Sequence, residues 1–292
     1  MIIVNILGGI GNQMFQYALG KHLATKHNTQ VKLDLTGFEE YKLHKYRLNV
    51  LNLEENVASL EEIEAIKYKK LNFISKAIYK IKGKKNTKPS KSYILEKQFP
   101  FDPEILTLPD NVYLEGYWQT EKYFKEISQV IKKDFGIKNE LCGKNKEFAE
   151  QINDSNSISL HIRRGDYVKD AKTKAAHYVD LDEYYKNAIN LIKERVSNPH
   201  FYIFSDDPEW AKANYAGDSA CSIVDFNSAD NGYEDLRLMS LCKHNITANS
   251  SFSWWGAWLN NNPDKIVIAP QKWFNDPQKD PKDLQPDGWI KL

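Results

Sequence analysis

Between residues 157 and 269 the sequence alternates short β-branched or aromatic runs with amphipathic stretches, and no other feature restricts the fold as much. The pattern predicts strands at 157–162, 201–205, 222–225, 245–248 and 265–269, separated by helices at 181–196, 208–215, 233–242 and 252–260. Strands joined through helices pair in parallel, with helices on both faces of the sheet. The first 35 residues follow the same logic. An apolar run from Ile2 to Leu7 leads into Gly8-Gly9-Ile10-Gly11, and a helical pattern follows to about His27 with Phe15, Leu19 and Leu23 on one face. An alternating segment from Gln30 to Leu35 closes one βαβ unit. Between the two series the pattern predicts a helix over 59–82, a strand over 112–118 and a helix over 121–135. The expected fold is therefore α/β in two domains, 1–153 and 154–292, divided at the polar stretch Asn153 to Asn156. A Pro-rich tail from Pro270, carrying Trp273 and Trp289, is expected to pack over another part of the molecule, the first domain included.

Composition excludes several classes. A chain of 292 residues that is 41% hydrophobic has enough apolar content for a proper core. Its 40 basic and 39 acidic residues leave a net charge of +1, which argues against a nucleic-acid partner. Three widely spaced cysteines, Cys142, Cys221 and Cys242, form neither a disulfide framework nor a zinc motif and suit a reducing compartment. The apolar N-terminus lacks a basic leader and carries Asn5, Asn12, Gln13 and Gln16, so it reads as folded protein; a cytoplasmic location is expected. Ten lysines and no acid lie between Lys67 and Lys91. Such a run reads first as a solvated helix and loop, and second as a peripheral contact with anionic lipid or a lipid-linked glycan.

The basic residues comprise 35 Lys and only 5 Arg, and Arg163 and Arg164 are adjacent. They follow a predicted strand, at the carboxyl edge where open α/β sheets bind ligands, and guanidinium forks suit phosphate. An Arg–Asp pair that ties down the loop, through Asp166, is the plainer reading. Gly8, Gly9 and Gly11 turn the chain tightly after the first strand, but their spacing fits neither a dinucleotide fingerprint nor a P-loop. Asn12 and Gln13 end that turn with amides that suit sugar hydroxyls or a helix cap equally. Asn249-Ser250-Ser251-Phe252 opens a helix, where hydroxyls and backbone N–H groups make an anion site compatible with Ser250 as a cap. Trp254 and Trp258, four apart in that helix, read as core. Asp206, after another strand, can hold a ribose or a guanine edge, or cap the next helix. Asp180 and Asp182 form the only Asp-x-Asp, at a helix start where capping outweighs metal binding.

Assembled in order, GGIGNQMFQYALG, SLHIRRGDYV, FSDDPEW and EDLRLMSLCKHNITANSSFSWWGAWLN resemble the α-1,2-fucosyltransferases of glycosyltransferase family 11, of the bacterial galactoside type. The resemblance covers most of the chain. It implies a GT-B fold, two Rossmann-like domains with parallel sheets facing a cleft, the acceptor on the N-terminal side and GDP-fucose on the C-terminal side. By the same resemblance Arg163 stabilises the leaving GDP, His161 and Asp206 hold the nucleoside, and Ser250, Ser251 and Phe252 meet the diphosphate. Gly9, Gly11, Asn12 and Gln13 would border the acceptor, Asp166 is a base for the galactose 2-hydroxyl, and no metal or other cofactor is expected. A carbohydrate-binding module, a purely structural α/β protein and a transferase of another sugar or linkage are the alternatives.

Overall fold

A computed structural model describes residues 1–41, 43–69, 89–164, 179–215, 217–276 and 279–292. The chain forms two compact units, Met1–Gly136 and Ile137–Leu292. The first holds β1 (Ile2–Asn5), α1 (Ile10–Lys26), β2 (Val31–Asp34), α2 (Leu60–Lys67), β3 (Tyr93–Leu95), β4 (Val112–Glu115) and α3 (Ser128–Asp134). Its four strands are all parallel, in the order β2-β1-β4-β3. The second holds α4 (Gly143–Asp154), β5 (Asn156–Ile162), α5 (Asp182–Arg195), β6 (Pro199–Ser205), α6 (Pro208–Tyr215), β7 (Cys221–Val224), α7 (Gly232–Leu241), β8 (His244–Ile246), α8 (Ser251–Leu259), β9 (Val267–Ala269) and β10 (Ile290–Lys291).

The second sheet is parallel in the order β10-β9-β8-β5-β6-β7. Counted from β5, that is the 3-2-1-4-5-6 order of a doubly wound sheet. The period of two along β6 explains its two covered faces. Phe201 and Ile203 join Ile158, Leu160, Tyr184 and Ile192 in one core, whereas Tyr202 and Phe204 join Ile152, Leu238 and Met239 in the other. Both the α/β class and the parallel sheets are as expected.

Three expectations need correction. The domain boundary lies at 136 rather than 153, because α4 packs through Ile152 beneath Tyr202 in the second unit's core. The described tail is packed, as expected, and its contacts include its own unit: β10 pairs with β9, and Trp254 Nε1 donates to Leu284 O at 2.8 Å. The helix expected over 59–82 ends at Lys67, where Tyr68 turns extended and bridges Pro89; residues 70–88 lie outside the described ones. Lys67 itself turns onto the sheet, 2.9 Å from Glu115 and 4.5 Å above the Tyr113 ring, so it is not part of a lysine face for lipid. The helix expected over 121–135 breaks into two 3₁₀ turns before α3, since Tyr123 and Phe124 are neighbours that both point into the core.

Candidate functional site

In the second unit the chain winds outward from β5 in one direction through β6 and β7, then returns to wind the other way through β8, β9 and β10. The crevice at the carboxyl ends of β5 and β8 is thus the switch point, where such sheets bind ligands. Residues from three strand ends meet there.

β5 alternates Ile158, Leu160 and Ile162 into the apolar core with Ser157, Ser159 and His161 on the other face. His161 is buried, its ring 5.7 Å from that of Phe252 at the start of α8. Burial, then the neighbouring Arg163 charge, holds its pKa down to about 4, against an opposing pull from Asp206. The ring is neutral near pH 7. Its Nδ1 is buried with no hydrogen-bond partner among the described residues, and such an atom calls for a ligand or a water.

Beyond β5, Arg163 Nε lies 3.1 Å from Asp206 Oδ2, and the Arg164 backbone N–H donates to Asp206 Oδ1 at 2.7 Å. Asp206 was expected to face a nucleoside or cap a helix. Both its oxygens lie against the arginine loop, and the cap of α6 is Asp207, which accepts the Trp210 N–H at 3.2 Å. Arg164 turns the other way, its guanidinium 4.2 Å above the Trp210 ring and 3.8 Å from Asp182. The two arginines therefore differ in duty, and Asp182 is the described carboxylate beside Arg164. Asp180 takes the Asp182 N–H at 3.1 Å, the helix-start role expected of this Asp-x-Asp. Asp166 lies outside the described residues.

Beyond β8, Ser250 caps α8 by accepting the Phe252 N–H at 3.3 Å, and Ser253 Oγ accepts the Ala248 N–H at 3.2 Å. Ser251 is the first residue of the helix. The first turn of a helix directs N–H dipoles outward and attracts anions. Trp254, Trp255 and Trp258 are buried core residues, as their spacing predicts. An arginine, a neutral histidine and a helix N-terminus thus converge at one crevice, where fixed charge and helix dipoles favour an anion. Among the described residues no group of three or more His, Cys, Asp or Glu side chains is placed to hold a metal ion.

The N-terminal glycine turn is partly structural. Gly8 adopts φ +86°, and a Cβ there would meet Asn12 Nδ2 at 2.9 Å, so only glycine fits. Gly9 is the N-cap position of α1, and Gly11 is buried in its first turn. Gln13, expected near a sugar, is fully buried: its Nε2 donates to Gly8 O and Lys45 O, and its Oε1 accepts the Arg47 N–H. Its amide pins two loops together and is not left for a ligand. Asn12 Oδ1 accepts from Gln119 Nε2 at 2.7 Å.

Sequence reasoning missed Trp210, Asp182 as a partner of Arg164, and Tyr185, whose buried hydroxyl lies at the Arg163 backbone. Trp210 carried a weak signal: a large aromatic three residues after the Asp207 cap faces back toward the strand edge.

A FUT1 mutant of Arabidopsis thaliana, solved in complex with GDP, matches with a TM-score of 0.50 at 11% identity, over 99% of this chain and 75% of that one. With its two parallel α/β units, the molecule is of the GT-B-like class. The family model of glycosyl transferase family 11 matches residues 1–292, and the chain belongs to that family. It is 37% identical over 297 residues to an alpha-1,2-colitosyltransferase of Escherichia coli, covering 100% of this chain and 99% of that one. It is 32% identical over 303 residues to the O-antigen biosynthesis glycosyltransferase WbnK of the same organism, covering 98% of each. The galactoside 2-alpha-L-fucosyltransferase Sec1 of Mus musculus is 27% identical over 165 residues, 53% of this chain and 43% of that one.

Proposed function

We propose that this glycosyltransferase moves L-fucose from GDP-β-L-fucose to the 2-hydroxyl of a terminal β-galactoside in a cell-surface glycan precursor, with inversion and without a metal. The observation that carries the reading is the convergence of Arg163, neutral His161 and the start of α8 at the switch point of the second sheet. In one displacement the galactose oxygen forms a bond to fucose C1 while the C1–O bond to GDP breaks. Negative charge grows on the β-phosphate as it leaves, and a preorganised guanidinium and helix dipole stabilise that charge without the help of a cation. The hydroxyl proton passes to a base, for which Asp166 is the proposed residue. The enzyme would work in the cytoplasm, where no membrane-spanning segment is needed; none of the described helices is long and apolar enough to cross a membrane. Contact with a membrane through the lysines between 69 and 91 belongs to the same proposal.

A second donor is favoured by one observation, the 37% identity to an alpha-1,2-colitosyltransferase. Colitose is fucose without its 3-hydroxyl, so the two donors differ by one hydrogen-bonding group. Incubation with GDP-fucose or GDP-colitose and a panel of β-galactosides, with EDTA present, followed by linkage analysis, tests both readings. An α-1,2-linked fucosyl product insensitive to EDTA is expected. Consumption of GDP-colitose alone moves the donor to the second reading, and a product linked at another hydroxyl overturns the linkage.

A further inference from the structure

The first sheet also has a switch point. The chain steps from β1 outward to β2, then crosses to place β3 and β4 on the other side, so the crevice lies between the carboxyl ends of β1 and β4. The β1 end carries the glycine turn and Asn12. The β4 end carries Gly116-Tyr117-Trp118-Gln119. We propose that this second turn is the platform for the acceptor's hexopyranose ring, with Tyr117 as the stacking surface and Gln119 as a hydroxyl partner. The inference rests on the proposed transfer to a glycoside and names the part of the protein that receives it.

Three observations support it. First, the turn is strained and then locked. Trp118 adopts φ +57°, a left-handed conformation that is strained for a bulky residue. Glu96, just past β3, accepts the Tyr117 N–H at 2.7 Å and the Trp118 N–H at 3.0 Å, while Gln16 Nε2 donates to Gly116 O at 3.0 Å. A Cβ at Gly116 would lie 2.4 Å from Glu96 Cβ, so the carboxylate reaches the turn only because residue 116 is glycine.

Second, the strain sorts two adjacent aromatics. Trp118 goes inward, 1% exposed, edge-on to Tyr123 at 5.8 Å. Tyr117 goes outward, 45% exposed, with no ring contact or side-chain hydrogen bond among the described residues. A lone exposed tyrosine is ordinary; one held out by a clamped, strained turn at a sheet switch point is not.

Third, the crevice is polar and bridged. The 2.7 Å bond from Gln119 Nε2 to Asn12 Oδ1 spans from the β4 loop to the β1 loop. The Gln119 amide has donor and acceptor positions beyond that bond. A hexopyranose offers the matching pair of surfaces, a C–H face for an aromatic ring and hydroxyls for amides.

The test uses the full chain and two readouts. With GDP-fucose saturating, Tyr117→Ala is expected to raise the acceptor KM about tenfold, with kcat and GDP affinity within about twofold of the parent. Tyr117→Phe, which keeps the ring, should retain the parent KM. Saturation-transfer NMR with methyl β-galactoside, methyl β-glucoside and methyl β-N-acetylglucosaminide, in the presence of GDP, reads binding without turnover. Contact to one glycoside that disappears in Tyr117→Ala supports the platform even if GDP-fucose is never a donor, a result that sinks only the functional reading. Unchanged acceptor KM and unchanged NMR contact in Tyr117→Ala overturn the platform, whatever the donor.

Discussion

Asp206 decides what the two adjacent arginines do. Its Oδ2 meets Arg163 Nε and its Oδ1 takes the Arg164 N–H, while Trp210 and Asp182 draw the Arg164 side chain aside. That ion pair holds the Arg163 side chain at the strand end before any ligand arrives. Under the proposed function Arg163→Ala is expected to lower kcat by about 10²–10³ without changing the circular dichroism or melting of the protein, because the group lost acts on the leaving diphosphate. Arg163→Lys should recover little, since an ammonium lacks the fork. Asp206→Asn keeps an acceptor for the Arg164 N–H but removes the charge at Nε, so its loss should be smaller and lie mostly in kcat. Steady-state kinetics of the three variants, with GDP binding by calorimetry, check the order; an Arg163→Ala enzyme with parental turnover would falsify the assignment.

At the scale of elements, closeness between layers carries much of the first unit's specificity. In α1, a Cβ at Gly20 would stand 2.3 Å from Val4 Cγ2 and 2.9 Å from Val31 Cγ2, so the helix lies against β1 and β2 at a separation only glycine permits. Gly20→Ala is expected to cost about 1–3 kcal/mol of stability by overpacking. Val4→Ala removes the atom struck first, and the double variant should lose less than the sum of the two single ones in urea unfolding. Elements with strong periodicity were legible in the sequence: β1, α1, β5, β6 and α5 lie within a residue or two of the pattern. α4 was not, because in GKNKEFAEQIND only Phe148, Ala149 and Ile152 are apolar and its place is fixed by Tyr202 and Phe226 from distant positions. β3 spans three residues, too few for alternation to register. The site was legible to the same degree. Strand-end motifs exposed Arg163 and Ser250, since chemistry at a parallel sheet edge follows from topology, whereas His161 came from the family resemblance alone. Partners such as Asp182, Trp210 and Glu96 depend on which loops meet, and neither spacing nor composition encodes that.

The molecule as a whole consists of two compact units, so its unfolding need not be one transition, and a probe confined to one unit is needed. Six of its seven tryptophans lie in the second unit, so indole fluorescence reports chiefly on that unit. Two groups there give opposite pH terms. His161 is held down to about 4 by burial and Arg163, so the stability tied to its neutral form is present above the ordinary histidine range near 6.5 and is lost as pH falls toward 4. Asp235, in the first turn of α7, accepts from Asn227 at 2.7 Å, yet burial, aided by Glu234, pushes its carboxyl up to about 7. Stability tied to its neutral form is present below its ordinary pKa near 3.8 and is lost as pH rises through 7. Between pH 4 and 6.5 the two slopes oppose each other, and the parent curve hides both. Asp235→Asn keeps an acceptor for Asn227 and removes one slope. Its stability relative to the parent should climb from pH 4 to 7, by at most about 1.4 kcal/mol per pH unit, and stay level above. His161→Gln should show the reverse, a difference that falls from pH 4 to 6.5. Denaturant unfolding followed by tryptophan emission at unit pH steps measures both, and parallel curves for either variant and the parent would remove that group from the pH response of the second unit.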